Sequence, residues 1–337
     1  MKNTLALKIL GLSALFAINV SAAVPGNLSG LIKIDGSSTV YPITEAVSEE
    51  FGKNNPGVKI TVGIAGSGGG FKKFCAGEID ISNASRPIKA SEIELCKTNK
   101  IEYVELPVAY DALSVVVNPK NTWATSITVA ELKKLWEPEA QNKITTWNQI
   151  RPEWPNQAIK LFGAGVDSGT YDYFTEAVVG KEHSSRGDFT SSEDDNVLVQ
   201  GVANDRNGLG FFGLAYYMEN KNKLKVLSID DLNASNGNGP QTPSLATVTD
   251  GTYQPLARPL FIYIRKDSMK KTEVQEYAKF YINNAKELTT QVGYVPLQDA
   301  VYSLAMKKFD KGITGSSFIG GSQVGVKLES LLAKEVG

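Results

Sequence analysis

The sequence predicts an α/β protein built as two lobes. Strand-like and helix-like segments alternate along it, two apolar strands that could bridge the lobes lie near residues 108–117 and 256–265, and the 337 residues exceed one ordinary domain of ~150 residues. With 42% hydrophobic residues there is material for two cores.

The elements follow in order. "LIKIDG" reads as a strand, and "YPITEAVSEEFGKNNP" as a helix with Ile43, Ala46, Val47 and Phe51 on one face. "VKITVGIAG" is a second strand, "GGFKKFCAGE" a short helix, "IDISNAS" a third strand and "ASEIELCKTN" a helix. This βαβαβα order implies a mostly parallel sheet covered on both faces. "YDALSVVVNP" reads as a buried strand ending in an Asn-Pro turn. A second unit then runs through the helix "TVAELKKLWEPEA", a Trp- and Pro-rich connection, the strand "AIKLFGAG", a helix after Ser168 and "VLVQGVANDRNGLGFFGLAYYMEN". Residues 233–243 form a polar surface loop, "PLARPLFIYIRKD" a strand and "TEVQEYAKFYINNAKEL" an amphipathic helix. The C-terminal helix is expected to pack back on the first lobe. The expected division is lobe I over 24–112 and 258–337, and lobe II over 113–257.

Residues 1–23 have the pattern of a signal peptide. Lys2 and Lys8 supply positive charge before an apolar stretch, Ile9 to Ile18, and Val20-Ser21-Ala22 or Ser21-Ala22-Ala23 offers the small-x-small cleavage pattern. The run is shorter than the ~20 residues of a membrane span. The first cysteine is Cys75, so no lipid-bearing cysteine follows the signal, and a soluble exported protein is expected. Without that segment the chain carries 33 basic and 36 acidic residues, a formal charge of −3. That balance argues against a nucleic-acid partner. In an oxidising compartment Cys75 and Cys96 read as a disulfide, worth roughly 3 kcal/mol by loop-closure entropy. A metal site would need more ligands than this pair and the single histidine supply, so no metal or cofactor is expected.

Four junctions after predicted strands share one composition: "DGSSTVYP" (35–42), "AGSGGGF" (65–71), "NASRPI" (83–88) and "VDSGTYD" (166–172). Ligands of open α/β sheets bind outside the carboxyl ends of the strands. Helix N-termini there present bare N–H groups to an anion, hydroxyls add donors, and glycine lets the backbone approach. Singly, each junction is an ordinary helix cap. Four in one chain point to a shared anion. Enzyme classes fit poorly. His183 lies in the polar loop "GKEHSSRGD" and reads as a solvated surface residue, not as a triad base. "GSGGGFKK" matches neither GxxxxGK[ST] nor GxGxxG.

"IDGSSTVYPITEAVSEEF", "GIAGSGGGFKKFCAGEIDISNASRPI", "DSGTYDYF" and "VGYVPL" (292–297), in this order, resemble the PstS/SphX-like periplasmic phosphate-binding proteins of the phosphate ABC importer. The resemblance runs from about Leu31 to the C-terminal region. It implies a type II periplasmic-binding-protein fold, two α/β lobes joined by two hinge strands and closing on one dehydrated phosphate. It further implies a monomeric, periplasmic, non-enzymatic protein whose partners are inorganic phosphate and the membrane permease subunits. By position, Ser38 and Thr39 match the donors of the first loop, and Ser67 with Gly68 those of the glycine-rich loop. Ser168, Gly169 and Thr170 match the second-lobe loop.

Two positions depart from the family pattern. Many members carry Ser-Asp where this chain has Ser85-Arg86, and many carry an arginine shortly before the second-lobe serine, where this chain reads "FGAGV". The expectation is therefore that Arg86 supplies the cation. The carboxylate is assigned to Asp111, with Asp167 as runner-up. Its task is to accept the proton that phosphate retains at neutral pH and to repel sulfate, which has none. The alternatives are a binder of another oxyanion such as sulfate or molybdate, an exported phosphohydrolase, or an adhesive protein on the same fold.

Overall fold

The computed structural model describes residues 28–166, 168–192, 194–318 and 328–337. The expected export segment, residues 1–23, lies outside the described residues, and so does Asp167.

The first half alternates β1 (Ser29–Gly36), α1 (Tyr41–Asn54), β2 (Gly57–Val62), α2 (Gly66–Cys75), β3 (Ile81–Ala84) and α3 (Ala90–Thr98). A 15-residue strand, β4 (Tyr103–Val117), leads into β5 (Ser126–Thr128), α4 (Val129–Trp136), β6 (Lys160–Ala164) and α5 (Gly169–Phe174). Then come β7 (Thr190–Ser192), α6 (Asp195–Asn204), β8 (Gly208–Gly213), α7 (Leu214–Glu219), β9 (Lys225–Val226), β10 (Ser228–Asp230) and α8 (Leu245–Thr249). The last elements are β11 (Ala257–Arg265), α9 (Thr272–Gln291), α10 (Asp299–Asp310) and α11 (Leu328–Val336).

Local chemistry accounts for the placing of α1. Pro42 sits in its first turn, where a missing N–H costs nothing. Ile43, Val47 and Phe51 are buried on one face, and the Phe51 ring meets Tyr277 and Phe280 of α9 edge-on at 5.3 and 5.4 Å. α9 thus covers the first half, and α11 packs on α10 with a Lys308–Glu335 ion pair at 2.7 Å. Cys75, at the end of α2, is disulfide-bonded to Cys96 in α3.

The larger sheet runs β2-β1-β3-β11-β4-β8-β6-β7, with β9 also on β4. Its two ends are parallel: β1 with β2 and β3, and β6 with β7 and β8. The middle is antiparallel, because β4 and β11 cross between the halves in opposite directions. The sheet is therefore mixed where strand order alone suggested a mostly parallel one. β4 is buried at every residue; it pairs with β11 from Tyr103 to Ala112 and with β8 from Leu113 onward. Pro107 has no N–H to give, and a register shift opposite Leu260 and Phe261 absorbs it. The segment around Val295 bridges to β4 at Tyr110, which brings "VGYVPL" beside Asp111.

Candidate anion-binding site

Three loops of the first half meet at the carboxyl ends of β1, β2 and β3. Gly36 has φ +137°, and a Cβ there would lie 2.2 Å from Asn83 O, so only glycine lets the first loop lie on β3. Ser37 N then donates to Asn83 O at 3.0 Å. Ser67, in the first turn of α2, accepts from Ser85 N at 3.1 Å and lies 3.2 Å from the Ser85 hydroxyl. These bonds tie the three loops to one another.

A cavity of 680 Å³ opens over them. Ser38, Thr39, Ser67, Gly68 and Arg86 line it from the first half, as expected from the sequence. Asp172, Glu176 and His183 face them from the second. His183 is exposed, as its polar loop suggested, but it stands on the cavity rim with Nδ1 3.3 Å from Asp172 Oδ1. Burial pushes the Asp172 carboxyl up, against the pull of His183.

Ser168 caps α5 by accepting from Thr170 N at 3.2 Å. Gly169 lies directly against the first loop: a Cβ at this position would be 2.3 Å from Thr39 Oγ1 and 3.0 Å from Thr39 N. The cleft is thus shut at the Thr39–Gly169 contact. Ser168 and Thr170 line a second cavity of 330 Å³, together with Asp111, Tyr216 and Tyr294. Eight of the nine residues expected from sequence therefore line two cavities, one holding Asp111, Ser168 and Thr170 and the other Ser38, Thr39, Ser67, Gly68 and Arg86, while Gly169 lies against Thr39.

Two arginines line the first cavity, Arg86 and Arg258. Arg86 lines the cavity, but its guanidinium forms a fork on Glu92, with Nη2–Oε1 at 2.8 Å and Nη1–Oε2 at 2.9 Å. Burial works against the Arg86 charge, and Glu92 more than offsets it, holding the pKa above its usual range. The same carboxylate caps α3 through Lys89 N. Arg258, which the sequence reading left inside a strand, stands opposite Asp111 in the β4–β11 register. Its Nη2 donates to Thr39 Oγ1 at 3.3 Å and its Nε to Asp111 Oδ2 at 3.4 Å. Nη1 is 3.6 Å from Glu176, and Cζ sits 3.8 Å from the centre of the Tyr173 ring. Its hydrogen bonds and ion pairs are longer than those between Arg86 and Glu92, so Arg258 carries the less tightly paired charge. Asp111 is 3% exposed; burial raises its pKa, and Arg258 acts the other way. One sequence signal could have found Arg258: an arginine that opens an apolar, buried strand needs a charged or polar partner.

Hydroxyl-bearing loops of both halves thus meet near Arg258, with the buried carboxylate of Asp111 beside it. Residues 21–285 match the profile described as the PBP superfamily domain. The chain is 50% identical over 323 residues to Protein SphX of Synechococcus elongatus, covering 96% of this chain and 93% of the relative. It is 38% identical over 290 residues to the phosphate-binding protein PstS of Staphylococcus haemolyticus, covering 85% and 88%. A crystal structure of a possible phosphate binding protein from Planctomyces limnophilus superposes with a TM-score of 0.80 at 45% identity, covering 85% of this chain and 99% of that one. The chain belongs to the PBP superfamily, in the family of the SphX and PstS proteins. Among the described residues no helix is long and apolar enough to cross a membrane.

Proposed function

We propose that this protein binds inorganic phosphate between its two halves in the periplasm and delivers it to the permease subunits of an ABC importer. It acts as a monomer and without catalysis. The observation that carries the reading is the junction of Thr39, Gly169, Arg258 and Asp111, where loops from both halves meet a less tightly paired guanidinium and a buried carboxylate. The names of the relatives point the same way.

The ion seats beside the Thr39–Gly169 contact. Ser38, Thr39, Ser67 and Gly68 supply donors from one side, and Ser168, Gly169 and Thr170 from the other. Arg258 supplies the positive charge. Arg86, already neutralised by Glu92, braces the third loop and adds little net charge. Asp111 accepts the proton of phosphate and disfavours sulfate. The lobes are 24–112 with 258–337, and 113–257, a division supported by the change of β4 partners between Ala112 and Leu113.

Calorimetric titration tests this. The mature chain should bind one phosphate, and sulfate far more weakly. Arg258→Ala should cost about 2 kcal/mol or more, as for a charged partner removed from a dehydrated site, and Arg86→Ala less. Equal affinity for both anions, or turnover of phosphate esters by the pure protein, would overturn the reading.

A further inference from the structure

Asp35 is not part of either cavity wall, yet two of the donor loops hang from its side chain. Its Oδ1 accepts from Gly36 N at 2.8 Å and from Ala65 N at 2.9 Å. Gly36 leads into Ser37–Thr39, and Ala65 into Gly66–Gly68, so one oxygen atom sets the spacing of both loop mouths. A Cβ on Gly63 would lie 2.6 Å from Asp35 Cγ, which shows how closely the chain leaving β2 packs over the carboxylate. The third loop joins through Ser37 N to Asn83 O and Ser85 N to Ser67 Oγ. Oδ2 is taken by Lys73 Nζ of α2 at 2.5 Å. The partnership with Asp35 raises the lysine pKa.

A bare carboxylate two residues before Ser37 would repel an arriving anion. Lys73 cancels that charge while leaving Oδ1 free to hold both amides. We propose that Asp35 and Lys73 form a positioning pair: Asp35 fixes the first two donor loops at the separation an oxyanion requires, and Lys73 keeps the carboxylate from opposing the ligand. The proposal rests on the reading of the cleft as a phosphate site. It adds a residue pair that touches no ligand.

Asp35→Ala removes the one oxygen that accepts from both amides, and phosphate affinity should fall at least about tenfold, as expected when two charge-assisted hydrogen bonds are lost. Lys73→Met leaves the carboxylate uncompensated, and its loss of affinity should be larger at low salt than at high salt. The double variant Asp35→Asn with Lys73→Met keeps an oxygen for both amides and carries neither charge. It should bind phosphate within about threefold of the parent, a rescue that general destabilisation does not produce. Hydrogen exchange of the Gly36 and Ala65 amides, followed without ligand, should be slow in the parent and the double variant and fast in Asp35→Ala. Fast exchange in the parent, an affinity unchanged by Asp35→Ala, or a double variant as weak as Asp35→Ala would overturn the proposal. A parent with slow exchange that fails to bind phosphate would instead overturn the functional reading. Should Asp35→Ala not fold, the salt dependence of Lys73→Met and the double variant decide.

Discussion

Gly169→Ala isolates closure from folding. Gly169 opens α5 outside the positive-φ region, so alanine meets no backbone strain there. The obstacle is across the cleft. The new methyl would lie 2.3 Å from Thr39 Oγ1, 3.0 Å from Thr39 N and 3.1 Å from Thr39 Cα. Two of those atoms are backbone, so rotating Thr39 does not clear the space, and the two halves must stay apart. Overpacking of this kind costs about 1–3 kcal/mol. Charged against closure alone, it weakens phosphate roughly 5- to 150-fold, since about 1.4 kcal/mol is tenfold. Ligand-free stability should be unchanged or raised, because alanine restricts the unfolded chain more than glycine does. Calorimetry with phosphate and a melting curve without it read the two effects separately. A Gly169→Ala protein that binds phosphate within about twofold of the parent would refute the reasoning that closure requires this contact.

Asp111→Asn keeps the shape beside Arg258 but removes the charge that accepts a proton, so phosphate should weaken while sulfate improves; an unchanged phosphate-to-sulfate ratio would move the role to Asp167. In the second half, Arg186 is 3% exposed and pairs with Asp188 at 2.6 Å, holding that carboxyl down at about 2. A depressed folded-state pKa stabilises above the unfolded value of about 4 and is lost as pH falls toward the folded one. Asp188→Asn should therefore lower the melting temperature at pH 7, with the gap to the parent closing between about pH 4 and 2. Intact-mass measurement of exported protein should show a chain starting near Ala23 or Val24 with no free thiol, Cys75 being bonded to Cys96. Two alkylatable thiols would contradict an exported, bridged chain.

Much of the fold was legible because its signals are local. The alternation that predicts β1, α1, β2, α2, β3 and α3 depends on periodicity within a few residues, and it places all three first-half loops correctly in order. The start of β4 was not read as strand, because Pro107 breaks the pattern; only the register shift against β11 admits it. The donors of the site carry a local signature of serine, threonine and glycine before a helix. Its charges do not. Glu92 looks like an ordinary α3 residue until the fork to Arg86 is seen, six positions away around a turn. Arg258 and Asp111 are 147 residues apart, and only the antiparallel pairing of two crossing strands joins them. Asp35 is hidden for a similar reason, since its role lies in the amides of a loop 30 positions on.

The central claim is that phosphate seats at the Thr39–Gly169 closure with Arg258 as its cation. A crystal structure of the mature protein with phosphate tests it most directly. The ion should lie beside that contact, hydrogen-bonded to the Arg258 guanidinium, with the Arg86–Glu92 fork intact. An ion held by Arg86 with Glu92 displaced, and Arg258 still engaged with Thr39, Asp111 and Glu176 rather than with the ion, would contradict the account.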